Sequence, residues 1–274
     1  MREQMLEYGI DVYPVADGQL HRFKGPDDKR QNGWYVLYHD FGAFGNWKTG
    51  ITVKWSERRK LSDQERRDLN HQIRTQCRQR QKEREQRQHA AAEEAGKIWR
   101  YADVVVSHPY LQRKQVQAHG IRQADDALII PMYRGRQLRS IQRIYPDGRK
   151  RFLKDGDIYA AYHPIGKLRE RLWIAEGFAT SASVFEATGD AVACAFSGAN
   201  MAKVAKAFRK QHPKLDIRIA GDVGGEKYAD EAMIACLGKR ALPIFDDGDD
   251  GNDWNDFSCL YGKDTTRNAL HGRI

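Results

Sequence analysis

A chain of 274 residues with 41% hydrophobic and 10% aromatic content is long enough for two domains and too apolar to be disordered throughout. No apolar run approaches the roughly 20 residues that span a bilayer, and the start, MREQMLEYGIDVYP, lacks a charged segment followed by an apolar one; a soluble cytoplasmic chain with no membrane partner is expected. The cysteines, Cys77, Cys194, Cys236 and Cys259, form no CxxC pair and no Cys/His cluster, which argues against both a zinc module and a disulfide framework.

The net charge of +9 is unevenly spread. Residues 1–170 hold 33 Lys/Arg against 22 Asp/Glu, whereas residues 171–260 hold 10 against 14. A basic body joined to a locally acidic region suits a binder of phosphate backbones that also holds a cation, because the backbone draws Lys/Arg and a divalent metal draws carboxylates. Ordinary solubility charge fits the same numbers equally well.

In chain order, residues 1–56 read as a small aromatic-rich β unit, with GWYVLYHDFGAFGNWKTG at 33–50 alternating short strands and Gly/Asn turns. Trp34, Tyr35, Phe44, Trp47 and Trp55 are expected to form its core, with base stacking as the alternative. Residues 57–100 predict one long charged helix that opens on a capping box, LSDQE at 61–65. Leu61, Leu69, Ile73 and Cys77 give it a thin apolar stripe, and RQRQKEREQRQH then makes its second half a solvated spacer. Residues 101–170 predict a basic β-rich subdomain with Arg-Gly and Pro-Asp-Gly turns. Its cations, Arg134, Arg136, Arg139, Arg143, Arg149, Lys150, Arg151 and Lys154, are interleaved with Tyr145 and Phe152, a composition suited to a single strand or to nucleotide phosphates.

From residue 171 the pattern becomes regular: strands RLWIA, AVACAF, DIRIAG and ALPIF alternate with helices FATSASVFEAT, NMAKVAKAFRKQH and EKYADEAMIACLG. Nearly continuous apolar strands with amphipathic helices between them predict an α/β domain, a parallel sheet covered on both faces. In such sheets functional groups gather beyond the carboxyl ends of strands where the strand order reverses. Glu176 ends the first strand and Asp222 the third, so an order 2-1-3 makes them neighbours able to share Mg²⁺ with a phosphate. A lone acid in such a place would more simply serve a helix N-terminus; two at matched positions favour the metal reading. The acidic run DDGDDGNDWNDF lacks the Glu of a calcium loop and reads as a solvated turn for 246–250, leaving Asp253 and Asp256 as metal candidates.

WIAEGFATSASVFEATG, AVACAFSGANMAKVAKAF, IRIAGD and the later DWNDF resemble the Toprim domain of primases carried by plasmids and phages. HPYLQRKQV, LIIPMYRGRQLRSIQRI and KRFLKDGDIYAAYHPIG are similar to the β-rich half of a DnaG-type primase core. The resemblance implies a Toprim domain at 171–260 with a tail at 261–274, and an α+β chain overall. It implies a DNA primase that makes RNA primers on single-stranded DNA from ribonucleoside triphosphates with Mg²⁺ (or Mn²⁺) and no zinc, associated with the nucleoid. Glu176 matches the Toprim glutamate, and Asp222 matches the first Asp of the Asp-x-Asp that holds the metal. Arg143, Lys150 and Arg151 match basic positions that contact nucleotide or template; Arg113, Lys114, Arg136, Arg139 and Lys154 join them as nucleic-acid candidates. Asp256 matches an acid of the plasmid type.

The sequence departs from the family at Gly224, where the second Asp is expected; Glu226, Asp253 or Asp256 are the acids that can replace it. The same acids would serve a Toprim nuclease, and without a working metal site the fold would leave a single-stranded DNA-binding protein. No GxxxxGK[ST] motif is present, so strand separation is expected to come from a separate helicase or replication protein.

Overall fold

The computed structural model describes residues 1–39, 41–56 and 63–272. Contacts divide the chain into two units, Met1–Gln76 and Cys77–Ile274. Among the described residues no helix is long and apolar enough to cross a membrane.

The first unit opens with α1 (Arg2–Glu7), followed by the antiparallel meander β1 (Leu20–Phe23), β2 (Gly33–Leu37), β3 (Phe41–Asn46) and β4 (Ile51–Ser56). Alternation decides its faces: along β2 the residues alternate between buried and partly exposed. Phe23, Tyr35, Leu37 and Phe44 point inward onto Met5 and Ile10, with Trp55 partly buried beside them. Trp34 and Trp47 stack on each other outside this core, at 5.9 Å between ring centroids. The aromatic set expected to form one core is therefore split, because neighbours on a strand point to opposite faces.

Helix α2 (Asp63–Tyr101) runs 39 residues. Leu61 and Ser62 of the expected capping box lie outside the described residues, as do the side chains of Glu65 and Leu69; Cys77 of the expected stripe is exposed. The polar run 78–89 is largely solvated as expected, but the last turns are not a spacer. Ala91 and Ala95, one turn apart, are buried together with Ile129, Ile141 and Leu153, and Ile98 and Trp99 pack around them. Two small side chains at i and i+4 let the helix approach a sheet closely, a signal hidden beside the charged run.

That sheet is antiparallel, ordered β5-β6-β7-β8-β9: β5 (Asp103–Val104), then after α3 (Pro109–Lys114), β6 (Arg122–Ala124), β7 (Ala127–Arg134), β8 (Gln137–Ile144) and β9 (Lys150–Phe152). β7, ALIIPMYR, is buried over its first six residues because both its faces are covered: Ile129 packs with the end of α2, and Leu128, Ile130 and Met132 join the large core shared with the next sheet.

The second sheet contains β10 (His163–Ile165), β11 (Arg171–Ala175), β12 (Ala191–Cys194), β13 (Asp216–Ala220) and β14 (Lys239–Ala241), ordered β10-β12-β11-β13-β14. Pairing is parallel except at β10, a three-residue edge strand too short to stand out in the sequence. Helices α4 (Phe178–Thr188) and α7 (Trp254–Leu270) contribute to the core on the Trp173 face, while α5 (Gly198–Gln211) and α6 (Glu226–Cys236) cover the Leu172 and Ile174 face. The last strand is Lys239–Ala241, not the expected ALPIF. Pro243 has no N–H for a ladder, and Ile244 is exposed. Residues 261–270, expected as a tail, are helical; Gly262 (φ 81°) breaks the helix locally, while Trp254, Phe257, Thr266 and Leu270 anchor it.

Candidate active site

β11 and β13 are neighbours in parallel register, Ala175 opposite Ala220, so Glu176 and Asp222 leave adjacent strand ends. Glu176 is held in place by its backbone: its carbonyl accepts the Phe196 N–H at 2.7 Å, and Gly177 then caps α4. Its carboxylate passes Gly198 of α5, where an added Cβ would stand 3.0 Å from Glu176 Oε2 and 2.5 Å from the Tyr228 ring. A glycine at that point makes room for the acid.

Asp222 is the most perturbed carboxyl of the cleft. Burial, then the charges of Asp253 and Glu176, push it up to about 7, with Lys150 acting in the opposite direction. Its Oδ1 is buried and has no hydrogen-bond partner. Asp253 is the N-cap of α7, its Oδ1 accepting the N–H of Asn255 at 2.7 Å and of Asp256 at 2.9 Å. Buried Asn255 fixes this helix start by donating from Nδ2 to Lys114 O at 2.7 Å and Ser183 Oγ at 2.9 Å.

Cations share with these acids a cleft of about 340 Å³, lined by Glu176, Gly177, Asp222 and Asp253 together with Arg113, Lys114 and Lys150. Lys150 Nζ lies 3.7 Å from where a Cβ on Gly177 would be, which places the ammonium beside the strand end. Arg113 donates to Pro146 O at 3.0 Å, and Lys114 pairs with Asp256 at 3.0 Å. Tyr110, Asp147, Gly148 and Thr180 complete the lining. Burial raises the Tyr110 phenol far above its ordinary value, while hydrogen bonds from Arg149, first from its backbone N–H and then from its side chain, hold the Asp147 carboxyl down. These lining residues carried no sequence signal of their own; the fold brings them in from the start of α3, the β8–β9 turn and the first turn of α4.

The other candidates are elsewhere. Arg143 and Arg151 are cross-strand partners on the face of their sheet that carries Ile141, whereas Lys150 and Phe152 occupy the opposite face, with Phe152 at 6.3 Å from Phe196. Adjacent residues Lys150 and Arg151 are thus separated by the sheet itself. Arg139 is tied to Asp157 at 3.2 Å alongside Arg134 at 2.9 Å; Arg136 and Lys154 are exposed, and none of these lines the cleft. Glu226 is outside the cleft lining, accepting the Gly224 N–H at 2.9 Å. Gly224 has φ +81° with open space around it, so its left-handed backbone, not crowding, favours glycine there.

Among the described residues no three His, Cys, Asp or Glu side chains form a ready-made metal cage. The donors nevertheless suit Mg²⁺, which keeps several waters and takes one or two carboxylates together with substrate phosphates. An orphaned buried carboxylate oxygen on Asp222, with Asp253 and Glu176 adding negative charge, is the feature a divalent cation would relieve.

Residues 171–264 match the Toprim domain family. The chain is 34% identical over 263 residues to the DNA primase TraC of Escherichia coli, covering 85% of this chain and 18% of that protein. A second Escherichia coli DNA primase TraC is 31% identical over 265 residues, covering 86% of this chain and 25% of the relative. The chain therefore spans a quarter or less of the length of these relatives. Among solved structures, the primase fragment of the bacteriophage T7 primase-helicase protein is similar at TM-score 0.45 and 13% identity, covering 91% of this chain and 99% of that one. The zinc-binding and RNA polymerase domains of the Aquifex aeolicus primase are similar at TM-score 0.47 and 12% identity, covering 98% and 82%. Over residues 171–264 the chain thus matches the Toprim domain family, and over most of its own length it is similar to a part of the DNA primases TraC.

Proposed function

We propose that this chain is the catalytic core of a DNA primase of the plasmid or phage type, joining ribonucleotides into short primers on single-stranded DNA. The observation that supports the reading is the pair of strand-end acids, Glu176 and Asp222, the latter with a buried, unpartnered Oδ1, in one cleft with Lys150. Such a reaction needs little covalent chemistry from the protein: the primer 3′-oxygen attacks the α-phosphorus, pyrophosphate leaves, and the rate depends on positioning and charge stabilisation. Asp222 and Asp253 would hold Mg²⁺ or Mn²⁺, with Asp253 supplying the carboxylate that Gly224 lacks. Asp253 is favoured over Glu226, which is outside the cleft lining, and over Asp256, which is paired with Lys114. When bound, the metal would supply charge neutralisation at the reacting phosphate.

Glu176 accepts a proton or orients the 3′-hydroxyl; no described side chain hydrogen-bonds its carboxylate, which leaves it available. Lys150, with Arg113 and Lys114, binds the triphosphate as point or forked charges. Residues 101–170 serve as the template-side subdomain, Arg143 and Arg151 acting on its far face, and a separate helicase or replication protein opens the duplex.

The test is a priming assay with the purified chain, single-stranded DNA, Mg²⁺ or Mn²⁺ and labelled ribonucleotides. Short labelled products that disappear in Glu176→Gln are expected. Unchanged synthesis in that variant would remove Glu176 from the mechanism, and metal-dependent loss of labelled DNA without nucleotides would favour a nuclease.

A further inference from the structure

The outward face of the first unit's sheet has the chemistry of a second nucleic-acid surface, unrelated to the acidic cleft. Across the sheet, Arg22 is opposite Trp34, Trp34 is opposite Gly45, and Gly45 is opposite Thr52; Lys54 follows on the same side of β4. The strand positions on this face include two cations and no carboxylate.

The aromatic pair is built into the turn rather than loosely exposed. A Cβ at Gly45 would stand 3.0 Å from the Trp34 ring and 2.2 Å from Ile51 O, so glycine allows the indole to lie on the sheet. Trp47 stacks on Trp34, and the Arg22 guanidinium lies 4.8 Å from the Trp47 ring centroid. Arg22 is clamped there by two hydrogen bonds to Gln31 O, at 2.8 and 3.2 Å. The turn beneath is braced by Asp28, a buried carboxylate that accepts Asn46 Nδ2 at 2.6 Å and Asn32 Nδ2 at 3.1 Å; Trp47 N–H in turn donates to Asn32 O at 3.0 Å. Trp47 is nevertheless 51% exposed.

A rigid stack of two indoles, flanked by a fixed guanidinium on a face whose strand positions carry no carboxylate, matches an unpaired base with its phosphate. An apolar protein partner would not require the cations, and a duplex would not offer a base face. We infer that the Trp34–Trp47–Arg22 platform binds single-stranded DNA by stacking at least one base, with Lys54 contacting the backbone.

The experiment uses the full chain without nucleotides or divalent cation. A 5-bromodeoxyuridine oligothymidylate is photo-cross-linked to it, adducts are mapped by peptide mass spectrometry, and affinity is measured by fluorescence anisotropy. Adducts on Trp47 or Trp34 are expected, with affinity about tenfold weaker in Trp47→Ala. Lys54→Ala should weaken binding less and lower the salt dependence by about one ion. Adducts confined to residues 77–274, a Trp47→Ala chain that binds as wild type, or equal affinity for a duplex of the same length would each overturn the inference.

Discussion

The two ends of the parallel sheet treat carboxylates in opposite ways. At the amino ends of the strands, Asp216 accepts from Arg171 at 2.7 Å and Arg218 at 3.2 Å, while Asp190 accepts from Arg171 at 3.2 Å and Trp173 Nε1 at 3.3 Å. Burial alone would raise Asp216, but its two arginines outweigh it and hold the carboxyl below the ordinary value. At the carboxyl ends, burial and like charges raise Asp222 to about 7, and one of its oxygens has no partner. The same fold therefore builds one end for stability and leaves the other short of positive charge. That contrast is what the proposed cation site rests on.

The comparison is broken most severely by Asp222→Asn. Nucleotidyl transfer should fall by roughly two to three orders of magnitude, while the metal-free chain gains stability. Folded Asp222 keeps its proton up to about pH 7, whereas an unfolded aspartate loses it near 3.8, so the wild-type fold loses stability as pH rises from 4 to 7. Without metal, Asp222→Asn should therefore be more stable than wild type at pH 8, by a few kcal/mol at most, and no more stable at pH 4. Thermal denaturation at both pH values checks the sign. Next in size is Lys150→Ala, expected to raise the nucleotide KM about tenfold by removing a charge-assisted phosphate contact. At the opposite end Arg171→Ala should cost only about 1 kcal/mol of stability, since its partner Asp216 is 38% exposed and screened, with priming activity retained at a temperature where the variant is folded. The smallest effect sharpens the contrast within one dipeptide: Arg151→Ala, on the other face of the sheet from Lys150, should leave the nucleotide KM within about twofold. A steady-state comparison of the two variants decides it.

Much of this contrast was legible in the sequence. The 3.6-residue and continuous apolar patterns from residue 171 place β11, α4, β12, α5, β13 and α6, and with them the strand-end positions of Glu176 and Asp222. Where the sequence was silent, the physics was tertiary. β10 is three residues long, and α7 hides behind a glycine-containing polar stretch. The end of α2 packs through two alanines that carry no periodic signal beside twelve polar residues. Within the cleft, the position of Asp253 depends on α7 and Asn255, and the separation of Lys150 from Arg151 depends on strand pairing. Neither follows from spacing along the chain.

The most direct test of the central claim, that the carboxyl end of the sheet is a divalent-cation site, is Mn²⁺ binding to the full chain followed by electron paramagnetic resonance. Wild type and Glu226→Gln should bind the ion alike, while Asp222→Asn loses it. Equal binding by Asp222→Asn, or no binding by wild type in the presence of a ribonucleoside triphosphate, would contradict the account.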